Sequence, residues 1–119
     1  MSWIFGYFGI TDQQNFTSPE NALYSFKDSN LILFAGGNNQ TCFFKSNALD
    51  SCWAVAGVGL KSSDYGYKIL DNMEWDANLR PKQINLSSVN GHFVAIKYYD
   101  NKLKFFTDDL GLREIFIVK

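Results

Sequence analysis

The strongest constraint on the fold is a pair of aromatic segments in the last third of the chain, separated by a two-residue turn signal. Residues 93–99 are apolar apart from Lys97, and residues 102–107 return with two further phenylalanines. Between them lies Asp100-Asn101, a pair of residue types that favours the tight turns of β-hairpins. The sequence therefore predicts a β-hairpin in this region.

Other apolar runs predict further strands. They lie at residues 2–9, 31–35, 42–45, 52–60 and 115–118. The first of them is a near-continuous aromatic run, which is typical of a strand covered on both faces. We therefore expect residues 2–9, 92–99 and 102–107 to form central, buried strands, with Phe93 in the core.

Helix signals are fewer. Ser18-Pro19-Glu20 combines an N-cap residue, a proline suited to the first helical position and a first-turn acid. Apolar residues follow at helical spacing, so the sequence predicts a short helix over residues 19–28. Residues 62–73 are ambiguous, because Tyr65, Ile69 and Met73 have helical spacing while a glycine interrupts them.

The segment 71–82 is polar and ends in Arg80-Pro81, which predicts a loop. Three acids within it, Asp71, Glu74 and Asp76, are interpreted as a solvated face rather than as a metal site. Trp53 and Trp75 are candidates for the core or for an interface, and the sequence does not decide between these.

The composition sets the outer bounds. The length of 119 residues predicts a single domain, residues 1–119, with a modest core. The aromatic fraction of 17% favours sheets over a helical bundle. A net charge of -1 gives no electrostatic reason to expect nucleic acid or an anionic membrane as a partner. Without a signal-peptide pattern, we expect a cytoplasmic protein in which Cys42 and Cys52 are reduced and structural.

Several sequence patterns resemble one known family. They are L-x-x-V-N-G-H-F-x-A at residues 86–95, Tyr99-Asp100 at a strand end, D-x-L-G-L-R-x-x-F at residues 108–116 and the opening run at residues 2–9. Together they resemble the N-terminal, class II glutamine amidotransferase domain of asparagine synthetases. The resemblance is strongest over residues 86–118.

The resemblance implies a fold and a structural motif. The fold is α+β: an αββα sandwich of mostly antiparallel sheets, of the N-terminal-nucleophile hydrolase type, here reduced and with few short helices. The motif residues that match the family are these: Asn90, Gly91, Phe93, Asp108, Gly111 and Arg113. Their expected roles are structural, with Gly91 and Gly111 supplying positive φ angles and Asp108 accepting backbone hydrogen bonds.

The residues that carry the family's chemistry are replaced. Its nucleophilic cysteine follows the initiator methionine, where this chain has Ser2, and that serine would need Met1 removed to free its α-amine as the base. The family binds the glutamine carboxylate with an R-G-P arginine, whereas Arg80 lies in Leu-Arg-Pro. The family's N-G-E turn is replaced by Ala56-Gly57-Val58-Gly59.

Two functions follow from the resemblance. The first is a non-catalytic module that docks on a synthetase-type domain or subunit, or forms a homodimer, through strand 113–118. The alternative is an N-terminal-nucleophile amidohydrolase that uses Ser2 after removal of Met1. No cofactor or metal is expected, since the lone histidine, His92, has no second ligand at metal spacing. The sequence does not tell whether the chain is part of a longer protein.

Overall fold

Strands dominate the structure. In a computed structural model, which describes residues 1–9, 18–48 and 50–108, strands hold 59% of the described residues and one helix holds 8%. The strands are β1 (Trp3–Phe8), β2 (Ala22–Lys27), β3 (Leu31–Gly36), β4 (Cys42–Ala48), β5 (Ser51–Ser63), β6 (Gly66–Ile69), β7 (Val89–Tyr99) and β8 (Lys102–Thr107). The helix is α1 (Asn72–Leu79).

The strands form two antiparallel sheets. The small sheet has the order β1-β3-β2, with β3 in the centre. The large sheet has the order β4-β5-β7-β8, and β6 pairs with the second half of the long strand β5. Consequently β5 has β4 and then β6 along one edge, and β7 along the other.

The sheets and the helix stack in three layers around two cores. The core between the sheets is made by Phe26, Leu31, Leu33, Ala35, Cys42, Cys52, Ala54, Ile96 and Tyr98. The core between the large sheet and α1 is made by Trp53, Val55, Leu70, Trp75, Leu79, Val89, Phe93 and Ala95. Both Trp53 and Trp75 are thus core residues, fully buried on the helix side of the large sheet.

The expected αββα sandwich is wrong for the described residues, which place a helix on one side only and form a mostly β structure. The expected helix over residues 19–28 is strand β2. Its start follows Asn21, whose φ is 64°, and its alternation sends Tyr24 and Phe26 into the core between the sheets. The period of two in these aromatic residues outweighed the capping signal before them.

The loop expected over residues 71–82 is mostly helix α1. A capping box starts it: the Asp71 carboxylate accepts from the Glu74 N–H at 2.9 Å, and the Glu74 side chain accepts from the Asp71 N–H. The ambiguous segment 62–73 becomes the end of β5, the strand β6 and the start of α1. Of the three residues with helical spacing, Tyr65 lies in the turn before β6, Ile69 lies in β6 and Met73 lies in α1.

The central hairpin prediction is confirmed and two burial predictions are wrong. Strands β7 and β8 are joined at Asp100-Asn101, whose φ angles of 53° and 57° are those of a type I′ turn. Phe93 is fully buried in β7, a central strand. Strands β1 and β8, expected to be central and buried, instead lie at sheet edges with many exposed side chains.

The predicted strands over residues 31–35, 42–45 and 52–60 are confirmed by β3, β4 and β5. The strand predicted over residues 115–118 lies outside the described residues, as do Gly111 and Arg113. Among the helical segments of the described part, none is long and apolar enough to cross a membrane.

Candidate functional sites

Ser2 directly precedes β1 of the small sheet and is buried. Its Oγ donates to the carbonyl oxygen of Asn38 at 3.0 Å and lies 2.5 Å from the Thr41 Oγ1. The turn before β4 fits closely against this N-terminus, because a Cβ on Gly37 would lie 2.2 Å from the Met1 carbonyl oxygen. Gly37 also has a φ of 99°, which disfavours any larger residue.

These contacts use the Ser2 hydroxyl to join β1 to the turn before β4. Its proton is donated to a carbonyl oxygen, which is not a base that could activate a nucleophile. The Thr41 hydroxyl is then left to donate to the Ser2 Oγ. What the geometry supports is a structural role for Ser2, with the hydroxyl proton occupied in holding two segments together.

The segment interpreted from the sequence as the counterpart of the N-G-E turn in the resembled family is not a turn in this protein. Ala56, Gly57, Val58 and Gly59 lie inside β5 and pair in continuous register with residues 91–94 of β7. The Gly57 N–H donates to the Thr41 carbonyl oxygen at 2.8 Å, next to the Ser2 contact. Residues 56–59 are therefore a paired strand and not a loop that could line a glutamine pocket beside Ser2.

Arg80 lies on the other side of the large sheet from Ser2. Its guanidinium pairs with the Asp76 carboxylate, which also accepts from the Trp53 indole N–H at 2.8 Å and from the Lys45 ammonium at 3.2 Å. Although burial alone would raise it, these donors, Arg80 foremost, lower the pKa of Asp76 to about 2. Arg80 therefore holds a carboxylate of its own chain and is not placed to clamp a substrate beside Ser2.

Lys97 extends this polar cluster on the helix side. It is 4% exposed, and its ammonium donates to the carbonyl oxygens of Arg80 and Pro81 at 2.8 and 2.7 Å. Burial, and then the nearby Lys104, lower the pKa of Lys97. The lysine that interrupts the apolar strand thus holds the chain that leaves the end of α1.

The motif residues near the hairpin have structural positions. Gly91 has a φ of 120°, and a Cβ there would lie 2.2 Å from the Val58 carbonyl oxygen, so a larger residue does not fit. The Asp108 carboxylate accepts from the Phe93 N–H at 3.2 Å and is buried. Asn90 is exposed on β7. These residues shape the entry to β7 and its pairing with β5.

The remaining candidates form no metal or redox site in the part of the chain that the structure describes. His92 is exposed on β7, and no cluster of three potential ligands occurs among these residues. Cys42 and Cys52 are free and buried between the sheets. Burial raises the pKa of the Cys52 thiol to about 12, so it is not a reactive thiolate near neutral pH.

The sequence reasoning missed two features. Asp76, interpreted as part of a solvated face, is the buried carboxylate that joins α1 to the large sheet; the spacing Asp76 to Arg80, typical of an i,i+4 pair on a helix, was the available signal. It also missed an exposed apolar surface at the second half of β5, where Tyr67 and Ile69 of β6 are 69% and 64% exposed.

Comparison with known proteins adds no relative. No family model, no curated protein and no solved structure matches this chain. The resemblance to the amidotransferase domain therefore rests on the sequence patterns at residues 2–9 and 86–118 alone.

Proposed function

We propose that this chain is a non-catalytic relative of the asparagine synthetase amidotransferase domain that docks on a synthetase-type domain. The position of Ser2 is the observation that supports the absence of catalysis. Its hydroxyl is buried and hydrogen-bonded to Asn38 and Thr41. Arg80, which was compared with the family's carboxylate-binding arginine, pairs with Asp76 on the opposite side of the large sheet.

The docking role is supported by the sequence resemblance. In the family, this domain packs against a synthetase domain, and a chain that keeps the scaffold residues Gly91 and Asp108 without the catalytic set is suited to keep that contact. The segment 113–118, which lies outside the described residues and is apolar from Ile115 to Val118, is the proposed docking strand, because an apolar edge strand readily pairs with another chain.

Catalysis is tested first. The intact mass shows whether Met1 is present, and ammonia release from glutamine is then compared between the natural chain and a Ser2→Ala variant. We expect no release above background in either protein. Turnover that is present in the natural chain and absent from Ser2→Ala would show that Ser2 is a nucleophile and would overturn the proposal.

Docking is tested with an isolated synthetase-type domain added in trans. Calorimetry should show saturable binding that Ile117→Lys weakens at least tenfold, because a charge in the apolar strand must be desolvated at the interface. The control is Tyr67→Ser, which removes an exposed aromatic side chain elsewhere and should leave this binding unchanged. Absence of binding by the natural chain would refute the docking role.

A further inference from the structure

Two pairs of lysines lie directly opposite each other in the large sheet. Lys61 of β5 is opposite Lys68 of β6, and Lys97 of β7 is opposite Lys104 of β8. Like charges in directly opposed positions of an antiparallel pair destabilise a sheet. A carboxylate beside such a pair offsets the repulsion between the two ammonium groups.

The first pair has such a carboxylate within the chain. The Lys68 ammonium lies 3.4 Å from the carboxylate of Glu74 in the first turn of α1. The capping box of the helix fixes Glu74 there, because its backbone N–H donates to the Asp71 carboxylate. The fold itself therefore supplies the anion beside Lys61 and Lys68.

The second pair has no carboxylate of its own among the described residues. Asp76 acts electrostatically on Lys97, but its carboxylate is already paired with Lys45 and Arg80. Lys104 is exposed and forms no ion pair within the part of the chain that the structure describes. Four cationic side chains in this region thus share one carboxylate, which leaves three positive charges in excess.

Tyr99 lies beside the second pair and adds a hydroxyl group. The ammonium groups of Lys97 and Lys104 lie 5.1 and 5.4 Å from the centre of its ring. Lys104 also donates to the Tyr99 Oη at 3.4 Å, which leaves the phenol proton to be donated to another group. Lys102, directly opposite Tyr99, is exposed as well. An anion at Lys104 would therefore meet an ammonium group and a hydroxyl donor, with a further lysine close by.

Lys97 contributes charge to this place rather than a contact surface. It is 4% exposed, and its ammonium is bonded to the carbonyl oxygens of Arg80 and Pro81. Burial lowers the pKa of Lys97, and Lys104 lowers it further. Lysines on an edge strand such as β8 also discourage pairing with another chain, but that role does not require a lysine opposite them in β7.

We propose that Lys104 and Tyr99 bind a polyvalent oxyanion, which takes the place beside this lysine pair that Glu74 has beside the other. The excess of positive charge favours a ligand with more than one negative charge. Phosphate and carboxylate groups share the required chemistry, since both accept hydrogen bonds from an ammonium and from a hydroxyl group. This inference does not depend on the proposed function.

Isothermal titration calorimetry with inorganic pyrophosphate and with citrate, at fixed ionic strength, tests the site. We expect saturable binding that Lys104→Gln weakens by roughly tenfold or more. The matched control is Lys68→Gln, which removes a lysine from the opposed pair that has its own carboxylate, and should leave the binding unchanged. Tighter binding of pyrophosphate would assign a phosphate ligand, and tighter binding of citrate a carboxylate ligand.

Thermal unfolding tests the repulsion on which the proposal rests. Without an oxyanion, Lys104→Gln should melt at a higher temperature than the natural chain, because an opposed pair of like charges has been removed. The oxyanion that binds should raise the melting temperature of the natural chain and not that of the variant.

Three outcomes would overturn the proposal: no binding of either oxyanion, a lower melting temperature of Lys104→Gln in plain buffer, or equal weakening by Lys68→Gln, which would indicate attraction by net charge alone. Binding of the synthetase-type domain is measured separately with Ile117→Lys, so either proposal can fail alone.

Discussion

The two halves of β5 run through the same sheet and meet different environments. Residues 52–56 are buried on both sides, by the small sheet on one and by the core around α1 on the other. Residues 58–63 are covered on the helix side only as far as Gly59. On the other side, Val58 and Leu60 are half-buried and Ser62 is exposed. Among the described residues, the difference arises because the small sheet ends near Gly57 while the large sheet continues.

The sizes of the side chains along β5 follow how closely other parts of the protein pack against each half of the strand. In the first half, Trp53 and Val55 fill the space under α1. In the second half, Gly59 leaves room for the Trp75 ring, so that the helix side stays closed without a strand side chain of its own. On the other side, the described residues cover the strand incompletely, and Val58 and Leu60 are half-buried.

The largest effect is expected from Phe93→Ala in the doubly covered region. Phe93 is fully buried and its ring packs edge-on against Trp75, with centroids 5.1 Å apart. Removing it leaves a cavity in the helix-side core, so the free energy of unfolding should fall by about 3–5 kcal/mol. Urea denaturation measures this, and a loss below about 1 kcal/mol would contradict the assignment of this region as the core.

Asp76→Asn tests how firmly α1 is held to the first half of β5. The asparagine can still accept from Trp53, but Lys45 and Arg80, which are partly exposed, lose their charged partner. The free energy of unfolding at neutral pH should fall by about 2 kcal/mol, in line with a charged hydrogen-bond network. Asp76→Glu serves as the control, because it keeps the negative charge but changes the length of the side chain.

The same carboxylate gives a pH signature. The pKa of Asp76 is about 2 in the folded protein and about 3.9 in an unfolded chain. Because the folded value is the lower one, its stabilisation is complete above about pH 4 and is lost as the pH falls towards 2. The natural chain should therefore lose more stability than Asp76→Asn across that window, and parallel acid titrations of the two would refute this role.

Local signals predicted the hairpin well, whereas long-range contacts determined what was missed. Asp100-Asn101 requires positive φ angles that these residue types tolerate, so the turn could be read from two positions. Helix α1 could not be recognised from apolar periodicity, since its inward side rests on Trp75, Leu79 and the charged Asp76. Its stability depends on partners in β4 and β5 that are remote in sequence.

The candidate site shows the same limit. The sequence could show that it lacks the cysteine and the N-G-E turn of the family that it resembles, because these are residue identities. It could not show what the Ser2 hydroxyl does instead, because its partner Thr41 lies 39 residues away. The sequence also could not predict that β5 extends beyond the small sheet, because no local pattern of residues indicates where a neighbouring sheet ends.

The smallest effect is expected from Tyr67→Ser on β6. Tyr67 is 69% exposed, so the free energy of unfolding should change by less than about 0.5 kcal/mol, because a side chain this exposed contributes little to the core. Urea denaturation measures this change. A loss of several kcal/mol would mean that the chain itself covers this side of β5, and the contrast between its two halves would disappear.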